Sequence, residues 1–213
     1  MRIVDLSKLL RPGKEQRRLT LEKFLYPPGE IMHYIHTESH IGTHVEAPSH
    51  FIPAMYGTPA QDISQMNLAQ FMGEAVFVDL SSTDKMQIIR PGNIETEIRA
   101  GDIVLIGNSP HKDSDRPQLS PELIKWLVKR NIRMIGIDDS VRLGPRPPFV
   151  PSSLREMVDH VWFLKNEIPI IEQLVNLDRL SKKRFFFAGF PWNVSGLDSS
   201  PIRAVAIEDF SFP

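Results

Sequence analysis

Cysteine is absent from this chain of 213 residues. Its absence excludes thiol catalysis, disulfide bonds and metal sites built from thiolates. Any metal in this protein must therefore be held by nitrogen and oxygen ligands.

Long apolar runs and an excess of one charge are missing as well. No segment approaches the roughly 20 apolar residues that span a bilayer. The N-terminus places Asp5 and Lys8 before any apolar run develops, unlike a secretory signal. The 25 basic and 26 acidic residues give a formal net charge of −1, and no basic stripe alternates with aromatic residues. We therefore expect a cytoplasmic protein that binds neither membranes nor nucleic acid.

The composition that remains is typical of a compact enzyme, with 41% hydrophobic and 24% charged residues. The length suits one large core, because single cores grow to about 250 residues before they split. No segment has the composition of a linker. We predict one domain, residues 1–213, that acts on a small molecule.

Short apolar segments outnumber helical patterns, which predicts an α/β fold. Several segments are continuous runs of the kind found in sheets covered on both faces. A helix is predicted from the cap Ser120 to about Asn131, with Pro121 in its first position. A second helix is predicted from Ser153 by capping-box spacing. The predicted strands are Ile3–Leu6, His33–His40, Ala75–Leu80, Ile103–Gly107, Met134–Asp138, Phe185–Phe190 and Ile202–Glu208.

Three histidines and a carboxylate lie within eleven residues: His40, His44, Glu46 and His50. Imidazole and carboxylate groups are ligands that zinc, manganese and iron share. His44 and Glu46 would point to the same side of an extended backbone, and Gly42 permits a bend that returns His40 to them. Histidines that merely decorate a polar loop are the alternative. The clustering favours a metal site.

A histidine and a glutamate further along the chain are weaker candidates for metal ligands when judged by local sequence alone. His160 falls at the edge of the apolar stripe of the second predicted helix, where it either faces a site or is an ordinary half-buried histidine. Glu172 follows the apolar residues 168–171. An unpaired buried carboxylate is costly, so Glu172 is protonated, paired with a cation or bound to metal, unless the strand simply surfaces there.

The segment from His40 to Phe51 resembles a signature of the cyclase family of metal-dependent hydrolases, His-x-Gly-Thr-His-x-Asp-Ala-Pro-x-His-Phe. Here it reads HIGTHVEAPSHF. Glu46 replaces the family's aspartate, and its longer reach leaves open whether it binds, bridges two metals differently or weakens one site. Residues 159–162, 170–177, 187–191 and 196–206 resemble later parts of the family's sequence, so the resemblance runs from about Ile3 to Glu208.

This resemblance implies a mixed, barrel-like curled β-sheet with helices packed outside, the swivelling β/β/α arrangement. It implies a divalent metal, zinc or manganese, with one or two ions per chain. His40, His44 and Glu46 would hold the first ion, and a second would be completed by His160 and Glu172 with Glu46 as the bridge. His50 would be the catalytic histidine, which relays a proton to the departing amine. Family members also form homo-oligomers, which implies a dimer or tetramer.

The implied activity is hydrolysis of an amide or lactam C–N bond by metal-activated water. The best-known family substrate is N-formylkynurenine, an arylformamidase substrate of tryptophan catabolism. Residues Gly107–Pro110 depart from the Arg-Thr-Gly-Trp of many family members, so the substrate stays open. Two other functions are to be weighed: a binding protein in which a metal only staples the fold, and a metal-dependent lactonase or lyase.

Overall fold

The structure is a computed structural model, and it describes residues 1–51, 60–144 and 159–210. Its strands are β1 (Arg2–Asp5), β2 (Leu19–Tyr26), β3 (Glu30–Thr37), β4 (His44–Glu46), β5 (Met72–Asp79), β6 (Ile88–Ile89), β7 (Ile103–Gly107), β8 (Gln118–Leu119), β9 (Met134–Asp138), β10 (Ile170–Leu174), β11 (Arg184–Ala188), β12 (Ser199–Pro201) and β13 (Val205–Glu208). The helices are α1 (Pro121–Lys129) and α2 (Asp159–Leu164). Short 3₁₀ turns cover Pro48–His50, Ile63–Gln65, Leu68–Phe71, Pro91–Asn93, Asp113–Asp115 and Leu177–Arg179.

Nine of these strands form one strongly curled half-barrel sheet in the order β1-β13-β11-β5-β7-β9-β10-β4-β12. Its centre, β5-β7-β9-β10, is parallel, and both flanks are antiparallel. The predicted mixed, barrel-like curled sheet is therefore confirmed. Strands β2 and β3 form a separate antiparallel hairpin, and β6 and β8 form a short parallel pair.

The central strands are buried on both faces because their residues alternate between two hydrophobic cores. In β7, Val104 and Ile106 face a core that includes α1 and α2, whereas Ile103 and Leu105 face the other core. All five residues of this strand are buried. A strand with both faces covered needs a continuous apolar run, which is the pattern that this segment shows in the sequence.

Helix α1 begins and ends close to the predicted positions. The Ser120 hydroxyl accepts a hydrogen bond from the Leu123 N–H, and Pro121 occupies the first helical position. Leu123, Ile124 and Leu127 are buried on one face. The other predicted helix start, Ser153, lies outside the described residues. No helix in the described part of the chain is long and apolar enough to cross a membrane.

Candidate metal centre

Strand β4 places the candidate ligands, because both its neighbours run antiparallel to it. His44 lies opposite Glu172 of β10, and Glu46 lies opposite Ile170 of β10 and Ser199 of β12. Directly opposed residues of an antiparallel pair share one face of the sheet. The side chains of His44, Glu46 and Glu172 therefore project together, although Glu172 lies 126 positions after Glu46 in the sequence.

Gly42 makes the bend that brings His40 back to this face. Its φ is +57°, and a Cβ there would meet the Leu10 side chain at 2.5 Å. A side chain would thus be opposed both by the left-handed backbone and by close packing. The sequence-based expectation for Gly42 is met, and His40 reaches Glu46 with Nδ1 3.1 Å from Oε1.

Glu46 is the centre of the cluster. Its Oε1 lies 3.1 Å from His40 Nδ1, 3.8 Å from His44 Nε2 and 3.8 Å from His50 Nε2. Its Oε2 lies 3.7 Å from His160 Nε2. Two groups of three, His40–Glu46–His50 and His44–Glu46–Glu172, each bring one ligand atom per residue within 4.8 Å of one another. Glu46 belongs to both groups, which differ from the predicted sets in placing His50 with His40 and His44 with Glu172.

The far side of Glu46 is closed by His160 of α2 and Glu172 of β10. His160 Nε2 lies 3.3 Å from Glu172 Oε1, and Glu172 Oε2 lies 3.8 Å from His44 Nε2. The structure therefore brings all six residues singled out in the sequence to one place. His44 and Glu46 are only 2% and 3% exposed, so neither side chain can form its hydrogen bonds with bulk water.

The outer ring nitrogens of three histidines already have acceptors. His44 Nδ1 lies 2.7 Å from the Gly42 carbonyl oxygen. His40 Nε2 and His50 Nδ1 lie 2.9 and 2.8 Å from the same Asp198 oxygen. Since a carbonyl or carboxylate accepts, each outer nitrogen donates, and in a neutral ring the inner nitrogen then carries a lone pair.

Those inner nitrogens all face Glu46, which can only accept when ionised. Nε2 of His44 and Oε2 of Glu46 are buried with no hydrogen-bond partner in the described residues. Lone pairs on neutral rings are repelled by the carboxylate that they face in a buried site unless a proton or a metal ion lies between them. The donor set consists of nitrogen and carboxylate oxygen and fits a divalent transition metal.

The electrostatics of the cluster also favour a cation. Burial alone would raise the pKa of Glu46, yet the histidines around it, His40 first, hold that pKa well below its usual range. Burial alone would lower the pKa of His160, but Asp159, Glu172 and Glu46 raise it to about 10. The same carboxylates that hold a proton on His160 would attract a metal ion in its place.

The Cyclase family model matches residues 4–140, which include the segment from His40 to Phe51. The chain belongs to the cyclase family. Kynurenine formamidase of Bacillus cytotoxicus is 26% identical to this cyclase-family chain over 184 residues, covering 83% of this chain and 78% of the relative. Kynurenine formamidase of Erythrobacter litoralis is 27% identical over 179 residues, covering 80% and 74%.

Solved structures give the same fold for this cyclase-family chain. Isatin hydrolase A from Ralstonia solanacearum superposes with a TM-score of 0.76 at 20% identity, covering 97% of this chain and 92% of that one. Isatin hydrolase A from Labrenzia aggregata, bound to benzyl benzoate, gives a TM-score of 0.75 at 23% identity, with 96% and 93% covered.

Asp198 is a residue of this cyclase-family site that the sequence analysis did not single out. It lies in a stretch noted only as resembling the family's closing segment, and no ligand-like spacing connects it with residues 40–50. In the structure one Asp198 oxygen serves both His40 and His50, and the other lies 3.3 Å from the Ser39 hydroxyl. A carboxylate shared by two histidines fixes their orientation and tautomer.

Proposed function

We propose that this cyclase-family chain, as one domain over residues 1–213, is a metal-dependent hydrolase that cleaves a non-peptide amide or lactam C–N bond. The observation that carries the proposal is the set of inner histidine nitrogens directed at Glu46, which calls for a cation. The similarity to proteins named kynurenine formamidase and isatin hydrolase supports the reaction class. A binding protein stapled by metal, or a lactonase or lyase, is not favoured.

Residues His40, His44 and Glu46 would hold a first ion of zinc or manganese. His160 and Glu172, with Glu46 as the bridge, would hold a second. When bound, such a metal would supply hydroxide near neutral pH, because it lowers the pKa of its water far below that of bulk water, to about 7, and it would polarise the substrate carbonyl.

His50 would carry the proton. Its Nδ1–H is anchored on Asp198, so its Nε2 is turned toward the ligand cluster and is free to move a proton. Imidazole suits this task because its ordinary pKa of about 6.5 lies close to the working pH. His50 Nε2 would first take a proton from the attacking water and would then pass it to the amine nitrogen as the C–N bond breaks, so that the amine leaves in its neutral form.

The test is metal content and turnover in matched histidine variants. Purified without chelator, the chain should retain about one or two equivalents of zinc or manganese by elemental analysis and hydrolyse N-formylkynurenine or another aryl formamide. His44→Ala should lose both metal and turnover. His36→Ala is the control, since His36 lies in the β2–β3 hairpin beside Glu22 and outside the cluster. A wild-type chain that holds no metal after reconstitution would refute the hydrolase proposal.

We also infer a cytoplasmic homo-oligomer, a dimer or tetramer. The β2–β3 hairpin supports association, because Leu25, Ile31 and Tyr34 on it are 67%, 60% and 55% exposed. A two-stranded hairpin with large apolar side chains in water is marginal unless something covers it. Sedimentation analysis should therefore give more than one chain per particle, and Leu25→Lys with Ile31→Lys should shift the particle toward the monomer. Sedimentation of the wild type as a monomer would contradict the inference.

A further inference from the structure

His160 differs from the other histidines of the candidate metal centre in its outer ring nitrogen. The other three have outer nitrogens that lie 2.7 to 2.9 Å from a carbonyl or carboxylate oxygen. His160 Nε2 faces Glu46 and Glu172, but its Nδ1 is buried without a hydrogen-bond partner in the described residues. A histidine that binds a metal ordinarily donates its outer N–H to an oxygen, which fixes the ring and raises its basicity. His160 therefore needs an acceptor.

Asp159 places a carboxylate beside that nitrogen. Its Oδ2 lies 3.6 Å from His160 Nδ1, a little beyond the length of a hydrogen bond. Asp159 is only 9% exposed, and its Oδ1 has no hydrogen-bond partner within residues 1–51, 60–144 and 159–210. A buried donor and a buried acceptor that both lack partners are each costly. A movement of about 1 Å would bring the two groups to hydrogen-bond distance and would satisfy both.

Close packing confines the Asp159 carboxylate to this position. Gly144 lies so near that a Cβ on it would collide with Asp159 Oδ2. Asp159 is also the first described residue of α2, and it lines the same cavity as His160 and Glu172. An acceptor that packing already holds can orient the His160 ring without the entropy cost of ordering a free side chain.

The charges around the four histidines match two divalent ions better than one. In the described part of the chain, the carboxylates that lie 2.8 to 3.8 Å from their ring nitrogens are Glu46, Glu172, Asp159 and Asp198. When these four groups are ionised and the histidines are neutral, two divalent ions balance their charge. A single ion would leave two negative charges in a largely buried cluster, which is costly. Asp159 carries one of these charges and lies beside the second predicted ion.

We propose that Asp159 is the positioning residue of the second metal site, and that its contact with His160 allows the chain to bind two ions. This inference rests on the proposed function, in which His160 and Glu172, with Glu46 as the bridge, hold the second ion. The Asp159 carboxylate would accept the His160 Nδ1–H, so that Nε2 presents its lone pair to the ion. Asp159 itself touches neither the ion nor the substrate in this assignment.

Calorimetric titration of the chelator-treated chain with zinc tests the inference. The wild type should bind two equivalents. Asp159→Asn keeps an acceptor oxygen but removes the charge, so it should weaken the second equivalent about 10- to 100-fold and leave the first almost unchanged. Asp159→Ala also removes the acceptor and should weaken the second equivalent further.

Asp139→Asn is the matched control for charge alone. Asp139 lines the same cavity and interacts electrostatically with Glu172, but within the described residues it makes no ion pair with His160. This variant should change the affinity for the second equivalent by less than about 5-fold, as for an exposed charge. Weakening equal to that in Asp159→Asn would show that the general field of the cavity, and not the contact with His160, holds the second ion.

Nitrogen-15 NMR of the zinc-loaded wild type gives a readout that needs no variant of Asp159. The His160 Nδ1–H, assigned by its absence from His160→Gln, should be protected from exchange with water. A rapidly exchanging proton at that nitrogen would refute the contact.

Failure of this inference and failure of the proposed function are distinguishable. A wild type that binds only one equivalent at saturating zinc, or an Asp159→Asn variant that binds two as tightly as the wild type, would overturn the role of Asp159. Hydrolysis of an amide by the same loaded protein would leave the proposed function standing. If the loaded wild type hydrolyses no amide, the proposed function fails, and the zinc titration still decides about Asp159.

Discussion

At the scale of single residues, His44 and His50 are expected to differ although both face Glu46. His44 is 2% exposed and lies between Glu46 and Glu172, whereas the His50 side chain is 25% exposed and anchored on Asp198. His50→Ala should therefore keep the metal and lower kcat by about 10²- to 10⁴-fold, the range for a general acid–base group. Elemental analysis and turnover measured on the same preparation check this, and loss of metal equal to that in His44→Ala would make His50 a ligand instead.

The residue scale also shows why the sequence reveals most of this cluster. Four members lie within residues 40–50, where local spacing carries the signal, and His160 and Glu172 become convincing only by resemblance to the family. The residue that hydrogen-bonds to the outer nitrogens of the histidines shows the limit of this reasoning. The strand spacing before His40 favours His36 or Glu38 for this role. In the structure, however, His36 pairs with Glu22, and Glu38 pairs with Arg17. Asp198 takes that role because β12 pairs with β4, a contact that no local pattern records.

At the scale of elements, a bulge in β10 aims Glu172 at the site. Pairing with β9 shifts register between Ile171 and Leu174, and Gln173 has a left-handed φ of +57°. The Thr43 hydroxyl, on a residue that is 3% exposed, donates to the Gln173 carbonyl oxygen at 2.6 Å and accepts from the Lys8 N–H at 2.9 Å. Such bulges re-aim side chains beside functional sites. Thr43 therefore joins β4, the N-terminal segment and the bulge.

Thr43→Val keeps the shape of this side chain and removes both hydrogen bonds. It should lower the free energy of unfolding by about 1–3 kcal/mol, because buried backbone groups lose their partners. It should also weaken metal binding, since the bulge that carries Glu172 is no longer tied to β4. Urea unfolding and metal titration measure the two effects. Thr43→Ser should restore metal affinity, and a serine variant that binds metal as weakly as the valine variant would contradict the bulge's role.

The same scale explains which elements the sequence predicts. Strands β7 and β9 and helix α1 follow from continuous apolar runs and a cap, which are local signals. The predicted strands do not include β2, β4, β6, β8 and β12. Of these, β4 and β12 have only three residues each and β6 and β8 only two, and all four exist through pairing with strands distant in sequence. The strand predicted over His33–His40 ends at Thr37, because Gly42 requires the chain to turn before β4.

At the scale of the whole molecule, the sheet brings together what the sequence keeps apart. The centre is assembled from residues 40–50, 160, 172 and 198. The pairing β10-β4-β12 brings residues 40–50, 172 and 198 together, and helix α2 supplies His160. Fold class follows from the alternation of apolar segments, whereas the curled half-barrel was expected only by resemblance. The reason is that curvature depends on strand order and on bulges, which are long-range properties.

Strands β1 and β13 are joined at Glu208, and this contact should contribute to the free energy of unfolding in a way that depends on acid pH. Glu208 on β13 is fully buried, lies opposite Arg2 on β1 and pairs with its guanidinium. Its carboxylate also accepts from the Ser181 and Lys182 N–H groups, each at 2.7 Å. Burial opposes its ionisation, but these donors outweigh burial and lower its pKa.

A lowered pKa in the folded state means that the native protein favours the ionised form. The stabilisation from Glu208 is therefore complete above the ordinary glutamate pKa of about 4.3 and is lost as the pH falls through the lower folded value. Glu208→Gln should lower the free energy of unfolding at pH 7 by about 1–2 kcal/mol and should flatten its decline below about pH 4. Urea unfolding across this pH range measures both effects. The exposed Glu95→Gln should leave the curve unchanged, and a Glu208→Gln curve parallel to the wild type at acid pH would show that other carboxylates set the acid limit.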